Sequence, residues 1–202
     1  MITETFLNLN EEKQTKIYQA LFNEYCQFPL EEVSVKNIVT KANIPRGSFY
    51  QYFTNKEGAL IYLIKKNQQT DENFFEDINS LSIYKLIESI FYNEINNIKS
   101  HQKSDRLLLL KQIVKSTKAT SIFYNVLKDE FLNNTVFEIC WNNTASHIDS
   151  IDIKISTLDL LFSTFKESLV LAIEDDSNVD DSIRKFNIKV NIIKNGINNI
   201  NI

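Results

Sequence analysis

Ser34-Val35-Lys36-Asn37-Ile38-Val39-Thr40-Lys41-Ala42-Asn43-Ile44-Pro45-Arg46-Gly47-Ser48-Phe49-Tyr50-Gln51-Tyr52-Phe53 is the stretch that decides the fold. Val35, Ile38, Val39 and Ala42 recur at helical spacing on one face, with Lys36, Asn37, Thr40 and Lys41 on the other. That pattern predicts a helix with one packed side and one free side. Asn43 tolerates the left-handed conformation that ends a helix, and Pro45 suits the first position of the next one. Two helices joined through so short a turn cross steeply, which is a helix-turn-helix. The second helix opens on Arg46, Gly47 and Ser48, a cation, a residue without a side chain and a hydroxyl, while Phe49 and Phe53 turn back to the core. The chain holds three glycines, and an early-helix glycine costs about 1 kcal/mol relative to alanine. Gly47 therefore predicts a close approach by something else.

Charge supports the same place. The chain carries a net charge of −4, which argues against indiscriminate coating of nucleic acid. Over residues 33–66, however, Lys36, Lys41, Arg46, Lys56, Lys65 and Lys66 face a single anion, Glu57, a local net of +5. A basic patch confined to one segment of an acidic protein is the footprint of a sited nucleic-acid contact.

The run Ala42-Asn43-Ile44-Pro45-Arg46-Gly47-Ser48-Phe49-Tyr50-Gln51-Tyr52-Phe53-Thr54-Asn55-Lys56-Glu57 resembles the DNA-binding signature of the tetracycline-repressor (TetR) family of transcriptional regulators. The match is long and ordered. It departs at Asn43, where the family usually has glycine, and at Gly58, which replaces a more usual helix former. The resemblance implies a helix-turn-helix head over 1–54 and a ligand-sensing and dimerisation body over 55–202. Within the head, Arg46 is expected to read a base edge, since an arginine in the major groove bonds guanine bidentately. Ser48 and Gln51 are further candidates for base edges, with Pro45 and Gly47 shaping the approach. Ser34, Lys36, Tyr50, Tyr52 and Lys56 are candidates for phosphate, Lys56 at the start of a fourth helix capped by Asn55.

Outside the motif, 202 residues suffice for a sizeable core. Few glycines and prolines and long apolar repeats at helical spacing predict an all-α chain of about nine helices. Beyond the four helices of the head and link, helices are expected near 82–99, 105–117, 121–147, 154–174 and 179–195. No stretch reaches the ~18 apolar residues of a membrane span, and the start lacks a basic, apolar leader, so a cytoplasmic protein is expected. Cys26 and Cys140 are isolated thiols, expected reduced and buried.

Two features of the body bear on function. Leu158, Leu161, Phe162, Phe165 and Leu169, followed by Ile183, Phe186, Val190 and Ile193, form two apolar helix faces with a heptad-like seam. Paired with their twofold mates they would make a four-helix homodimer interface, although the same residues also read as ordinary core. Tyr92, Tyr124, Phe137, Trp141 and His147, with Phe91, Phe123 and Phe131 around them, are the candidates for a pocket holding a small apolar or amphipathic effector. His101 and His147 have no partners at metal-ligand spacing, and no cofactor is implied. Phosphate loops, nucleophile elbows and zinc-binding helices are missing, so an enzyme is not expected. The resemblance thus implies a DNA-binding regulator, a repressor released from a palindromic operator on double-stranded DNA by a small effector. A helical ligand-binding or interaction module without DNA binding is the competing reading.

Overall fold

A computed structural model describes residues 2–67, 80–100, 105–132, 135–174 and 178–200, without the side chains of 105, 106, 130 and 131. Eleven helices form among them: α1 Glu4–Leu7, α2 Glu11–Tyr25, α3 Val35–Ala42, α4 Arg46–Tyr52, α5 Lys56–Asn67, α6 Ile83–Lys99, α7 Asp105–Ile113, α8 Thr117–Leu132, α9 Thr135–Ala145, α10 Ile151–Glu174 and α11 Val179–Asn198. The chain is all-α as expected, with two differences from the expected helices. α1 is a single turn, too short to leave a periodic signal. The one helix expected over 121–147 corresponds to α8 and α9, and residues 133–134 between them lie outside the described residues.

Contacts divide the chain into two compact units, Met1–Gln69 with Lys103–Val126, and Thr70–Gln102 with Leu127–Ile202. The boundary expected after residue 54 falls inside the first unit, which takes in α5 and residues 103–126.

In the first unit α2 is started by Asn10, whose side chain accepts the Lys13 N–H at 2.9 Å, with Glu11 and Glu12 in the first turn where the helix dipole favours them. Its apolar stripe, Ile17, Leu21 and Tyr25, is nearly inaccessible, as are Ile38 of α3, Phe49 of α4 and Leu60 of α5. Each such side chain contributes roughly 1.5–3 kcal/mol by leaving water. The head is therefore a small, densely aromatic core that fixes α3 and α4.

The second unit is built on α6, α10 and α11. Phe91 stacks on Phe186 with ring centroids 3.8 Å apart and meets Phe165 edge-on at 6.1 Å. Lys99 pairs with Asp180 at 3.3 Å, and the Tyr92 hydroxyl donates to Asn187 Oδ1 at 2.8 Å, so α6 runs antiparallel to α11. The Ser182 hydroxyl bonds the Ser168 carbonyl across the α10–α11 hairpin, so α6 and α10 are parallel. No helix among the described residues is long and apolar enough to cross a membrane. Cys140 is buried and Cys26 half-buried, and neither is in a disulfide.

Candidate nucleic-acid interface

The helix-turn-helix forms as its residues dictate. Ser34 caps α3, its hydroxyl accepting the Asn37 N–H at 3.4 Å. Asn43 closes the helix in the left-handed region at φ 52°, ψ 51°, the one positive φ among the described non-glycine residues. Pro45 stands at the cap position just before α4, at φ −59°, one residue earlier than expected, and its carbonyl accepts the Ser48 N–H at 2.9 Å. Phe49 and Phe53 are both 0% exposed and hold α4 down. The opposite face of α4 carries Arg46, Gly47, Tyr50 and Gln51, all exposed, with Ser48 half-buried.

Of the ten residues expected to meet DNA, Ser34, Lys36, Arg46, Tyr50 and Lys56 line one surface depression of about 370 Å³ shared with Asn55 and Glu57. Asn55 caps α5 as expected, accepting the Gly58 N–H at 2.8 Å. An open trough bordered by cations, a phenol and a helix start suits a phosphate backbone. The acid in it is neutralised: the Glu57 carboxylate pairs with Lys118, whose hydrogen bond holds the Glu57 pKa below the ordinary glutamate value. Lys118 lies far from the motif in sequence, so the segment's charge is more positive in space than along the chain.

Two expectations change. Tyr52 is 4% exposed, its ring edge-on to Phe6 at 5.9 Å, so it belongs to the core that supports α4 and does not stand at the free face. The Lys56 ammonium donates to the Glu31 and Val33 carbonyls at 3.1 and 3.2 Å, tying α5 to the loop before α3. Two of its three protons are thereby occupied, and the Lys56 carbonyl in turn accepts the Tyr25 hydroxyl at 2.6 Å.

Glu24 is the residue that sequence reading missed. It is fully buried at the end of α2, and its Oε1 accepts the Ser34 N–H at 3.0 Å and the Asn37 side-chain amide at 3.1 Å. Lys41, which reads as a solvated cation in sequence, faces Glu24 Oε2 at 3.5 Å. One carboxylate thus organises both ends of α3. Burial, with the Glu57 and Glu24 charges nearby, pushes the pKa of the neighbouring Tyr25 phenol up, which keeps it a donor.

Gly47 gives a direct test of close approach. A Cβ built on it meets nothing within 4 Å, so no protein contact requires glycine. Gly47→Ala is expected to leave stability unchanged or raise it by up to about 1 kcal/mol of helix propensity, read as an unchanged or higher melting temperature. The added methyl should weaken DNA binding about tenfold by displacing α4 from the groove. Equal DNA affinity for the two proteins would remove the close-approach explanation.

The residues expected in the body are less well gathered. Leu158, Leu161, Phe162, Phe165, Leu169, Phe186 and Val190 are all buried within the single chain, and Ile183 and Ile193 are half-buried. Their seam packs α10 and α11 on each other and on α6, because the face of a helix buried inside one bundle has the same repeat as one buried between two chains. Of the pocket candidates, Tyr92 is 37% exposed and bonded to Asn187, His147 is exposed, and the Trp141 indole N–H donates to the Ile148 carbonyl at 3.0 Å. Phe137 packs against Trp141 with centroids 6.1 Å apart, and Tyr124 is half-buried in the first unit. His101 and the side chain of Phe131 lie outside the described residues.

Residues 17–62 match the model of a family described as bacterial regulatory proteins, tetR family. No curated protein matches the chain. Among solved structures it is similar to the transcriptional regulator FadR from Bacillus subtilis in complex with stearoyl-CoA, at 17% identity, 87% of this chain, 97% of that one and a TM-score of 0.54. Salmonella enterica GusR matches at 16% identity over 93% and 97% of the two chains, with a TM-score of 0.54. The fatty acid degradation regulator FadR from Bacillus halodurans matches at 15% over 94% and 96%, with a TM-score of 0.51. At these identities the likeness is one of fold. The matched segment runs from within α2 to within α5 and contains the whole helix-turn-helix, so this part of the chain is similar to the DNA-binding segment of the tetR-family bacterial regulatory proteins, within a fold shared with those solved regulators.

Proposed function

We propose that the protein is a homodimeric repressor that holds a palindromic operator through α3 and α4 and is released by a small apolar or amphipathic effector. The observation that carries this is the division of α4: Phe49 and Phe53 are 0% exposed, while Arg46, Gly47, Tyr50 and Gln51 stand free beside a basic trough. A helical corner that only packed would have no use for that free face. An operator-bound protein of this kind works where the DNA is, in the cytoplasm.

The dimer face is revised from the buried seam to what the hairpin leaves outside. Leu160 is 55% exposed on α10, and Ile188 and Ile192 are 48% and 65% exposed one turn apart on α11. The antiparallel register set by Ser168 and Ser182 brings Leu160 opposite Ile192. Gly196, one further turn along, has open space around it for a partner backbone. A twofold dimer carries two α4 helices, as a palindromic operator with half-sites in successive major grooves about 34 Å apart requires.

For the effector, two buried hydroxyls of the second unit lack hydrogen-bond partners, Tyr84 on α6 and Thr157 on α10. With the two helices parallel and Phe91 meeting Phe165, Tyr84 and Thr157 fall at the same level. Burial pushes the Tyr84 phenol up to about 12, so it remains a donor. A mostly apolar molecule with one polar group suits two hydroxyls set among apolar side chains.

Selection of duplexes from random DNA with the full chain is expected to return an inverted repeat. Ile192→Glu should then shift sedimentation from dimer to monomer and lower operator affinity about 100-fold, through loss of the linked second contact. Recovery of no sequence preference would overturn the repressor reading, and a dimeric Ile192→Glu protein would overturn this dimer face.

A further inference from the structure

The recognition helix is finished at one end by residues from the far start of the chain. α4 has seven residues, and after it Phe53 leaves in an extended conformation with its N–H on the Phe49 carbonyl. Gln51 and Tyr52 are among the last residues of α4, whose carbonyls a helix cannot satisfy from within. Thr3 takes both: its hydroxyl donates to the Gln51 carbonyl at 2.6 Å and its N–H to the Tyr52 carbonyl at 3.1 Å. Ile2 pairs with Phe53 in an isolated antiparallel bridge.

The same Thr3 hydroxyl also accepts the Phe6 N–H at 3.4 Å, capping α1. Phe6 is 0% exposed, with its ring 5.9 Å from Tyr52, 5.1 Å from Phe53 and 5.2 Å from Tyr62. One hydroxyl thereby joins the start of α1 to the end of α4, and one ring pins the pair to α5. Residues 2–6 precede the segment 17–62 that matches the family model, so this arrangement lies outside the matched motif.

We propose that residues 2–6 are a clamp that positions α4 for sequence readout, with Thr3 as the positioning residue and Phe6 as its anchor. This rests on α4 being the helix that reads DNA. A helix of seven residues does not hold itself together in water, where nucleation is costly and each end frays. Arg46 is secured by the turn at the N-terminal end. Tyr50 and Gln51 lie in the last turn, and their directions are fixed from outside the helix. Fraying of that turn would scatter the groups that meet bases and sugar-phosphate without changing any charge. Discrimination between sequences should suffer while non-specific electrostatic binding persists.

The test uses the full chain and Thr3→Val, which removes the hydroxyl at nearly constant volume. Affinity is measured for the selected operator and for a random duplex of the same length, each across a salt titration. Operator affinity should fall about tenfold, the worth of one cap-type bond, with random-duplex affinity and salt slope unchanged. Thr3→Ser should restore discrimination. Asn10→Ala, which removes the equivalent cap of α2, should leave it intact at similar loss of stability. In the free protein, amide exchange at residues 51–53 should speed up in Thr3→Val and return to the wild-type rate in Thr3→Ser. Wild-type discrimination in Thr3→Val overturns the clamp. Should the wild type itself show no operator preference, the repressor reading has failed on its own account. Exchange then decides the clamp: unchanged rates in Thr3→Val overturn it, and faster rates restored by Thr3→Ser support it.

Discussion

Glu24→Ala is expected to lower the stability of the DNA-binding head by about 3 kcal/mol, enough to unfold a large part of a marginal domain at physiological temperature. The carboxylate is 0% exposed, accepts hydrogen bonds from the Ser34 N–H and the Asn37 amide, and faces the Lys41 ammonium at 3.5 Å. Removing it leaves the Ser34 N–H without its acceptor at the start of α3 and opens a cavity beside Tyr25. Each orphaned buried group costs about 1–3 kcal/mol. Glu24→Gln should fall between, since an amide oxygen still accepts from Ser34 but brings no charge to Lys41. Urea denaturation followed by circular dichroism measures the difference. A loss below about 0.5 kcal/mol in Glu24→Ala, the range of an ordinary surface substitution, would show that α3 does not depend on this carboxylate.

Arg46→Ala is expected to lower operator affinity roughly 10- to 100-fold and to relax preference at one base pair, with stability unchanged within about 0.5 kcal/mol. Arg46 is exposed at the first position of α4 with only the basic trough beside it, so its removal disturbs no core contact. Lys36→Ala separates the two kinds of contact. It should weaken binding to operator and random DNA alike and reduce the salt slope by about one, as for a phosphate contact. Competition binding on operator variants reads both outcomes. If Arg46→Ala weakened all sequences equally, the arginine would be a backbone contact and base readout would pass to Ser48 and Gln51.

Legibility in the sequence followed the physics of each element. α3 and α4 were readable because alternating helical faces, a serine cap and a left-handed asparagine are local and reinforce each other. Glu24 was not, because an acid one position from an apolar stripe looks like a solvated edge, and only the arrival of Ser34 and Asn37 from the next helix makes its burial favourable. α1 escaped because four residues show no period, yet Thr3 and Phe6 set the far end of α4. Lys118 was invisible as part of the basic surface because its partner Glu57 lies across the fold. The apolar seam of α10 and α11 was readable as a seam, but a repeat does not say whether the mate is the same chain or another. Burial of Leu161, Phe165 and Phe186 within the one chain shows that this part of the seam has its mate in the same chain.

The alternation along α4 has a consequence for divergence among relatives. The outward side chains of Arg46 and Gln51 are exposed, apart from the buried Phe49, Tyr52 and Phe53 that secure the helix, while the outward Tyr50 keeps one edge-on contact with the Phe49 ring at 5.3 Å. Reading positions and supporting positions are distinct sets on a single short helix, and they touch at the Tyr50–Phe49 ring pair. A duplicated gene could therefore exchange its outward residues one at a time and acquire a new target site without first passing through an unstable intermediate. New specificities are thereby open to single-step mutation, while the aromatic underside is held constant by the cost of losing the fold.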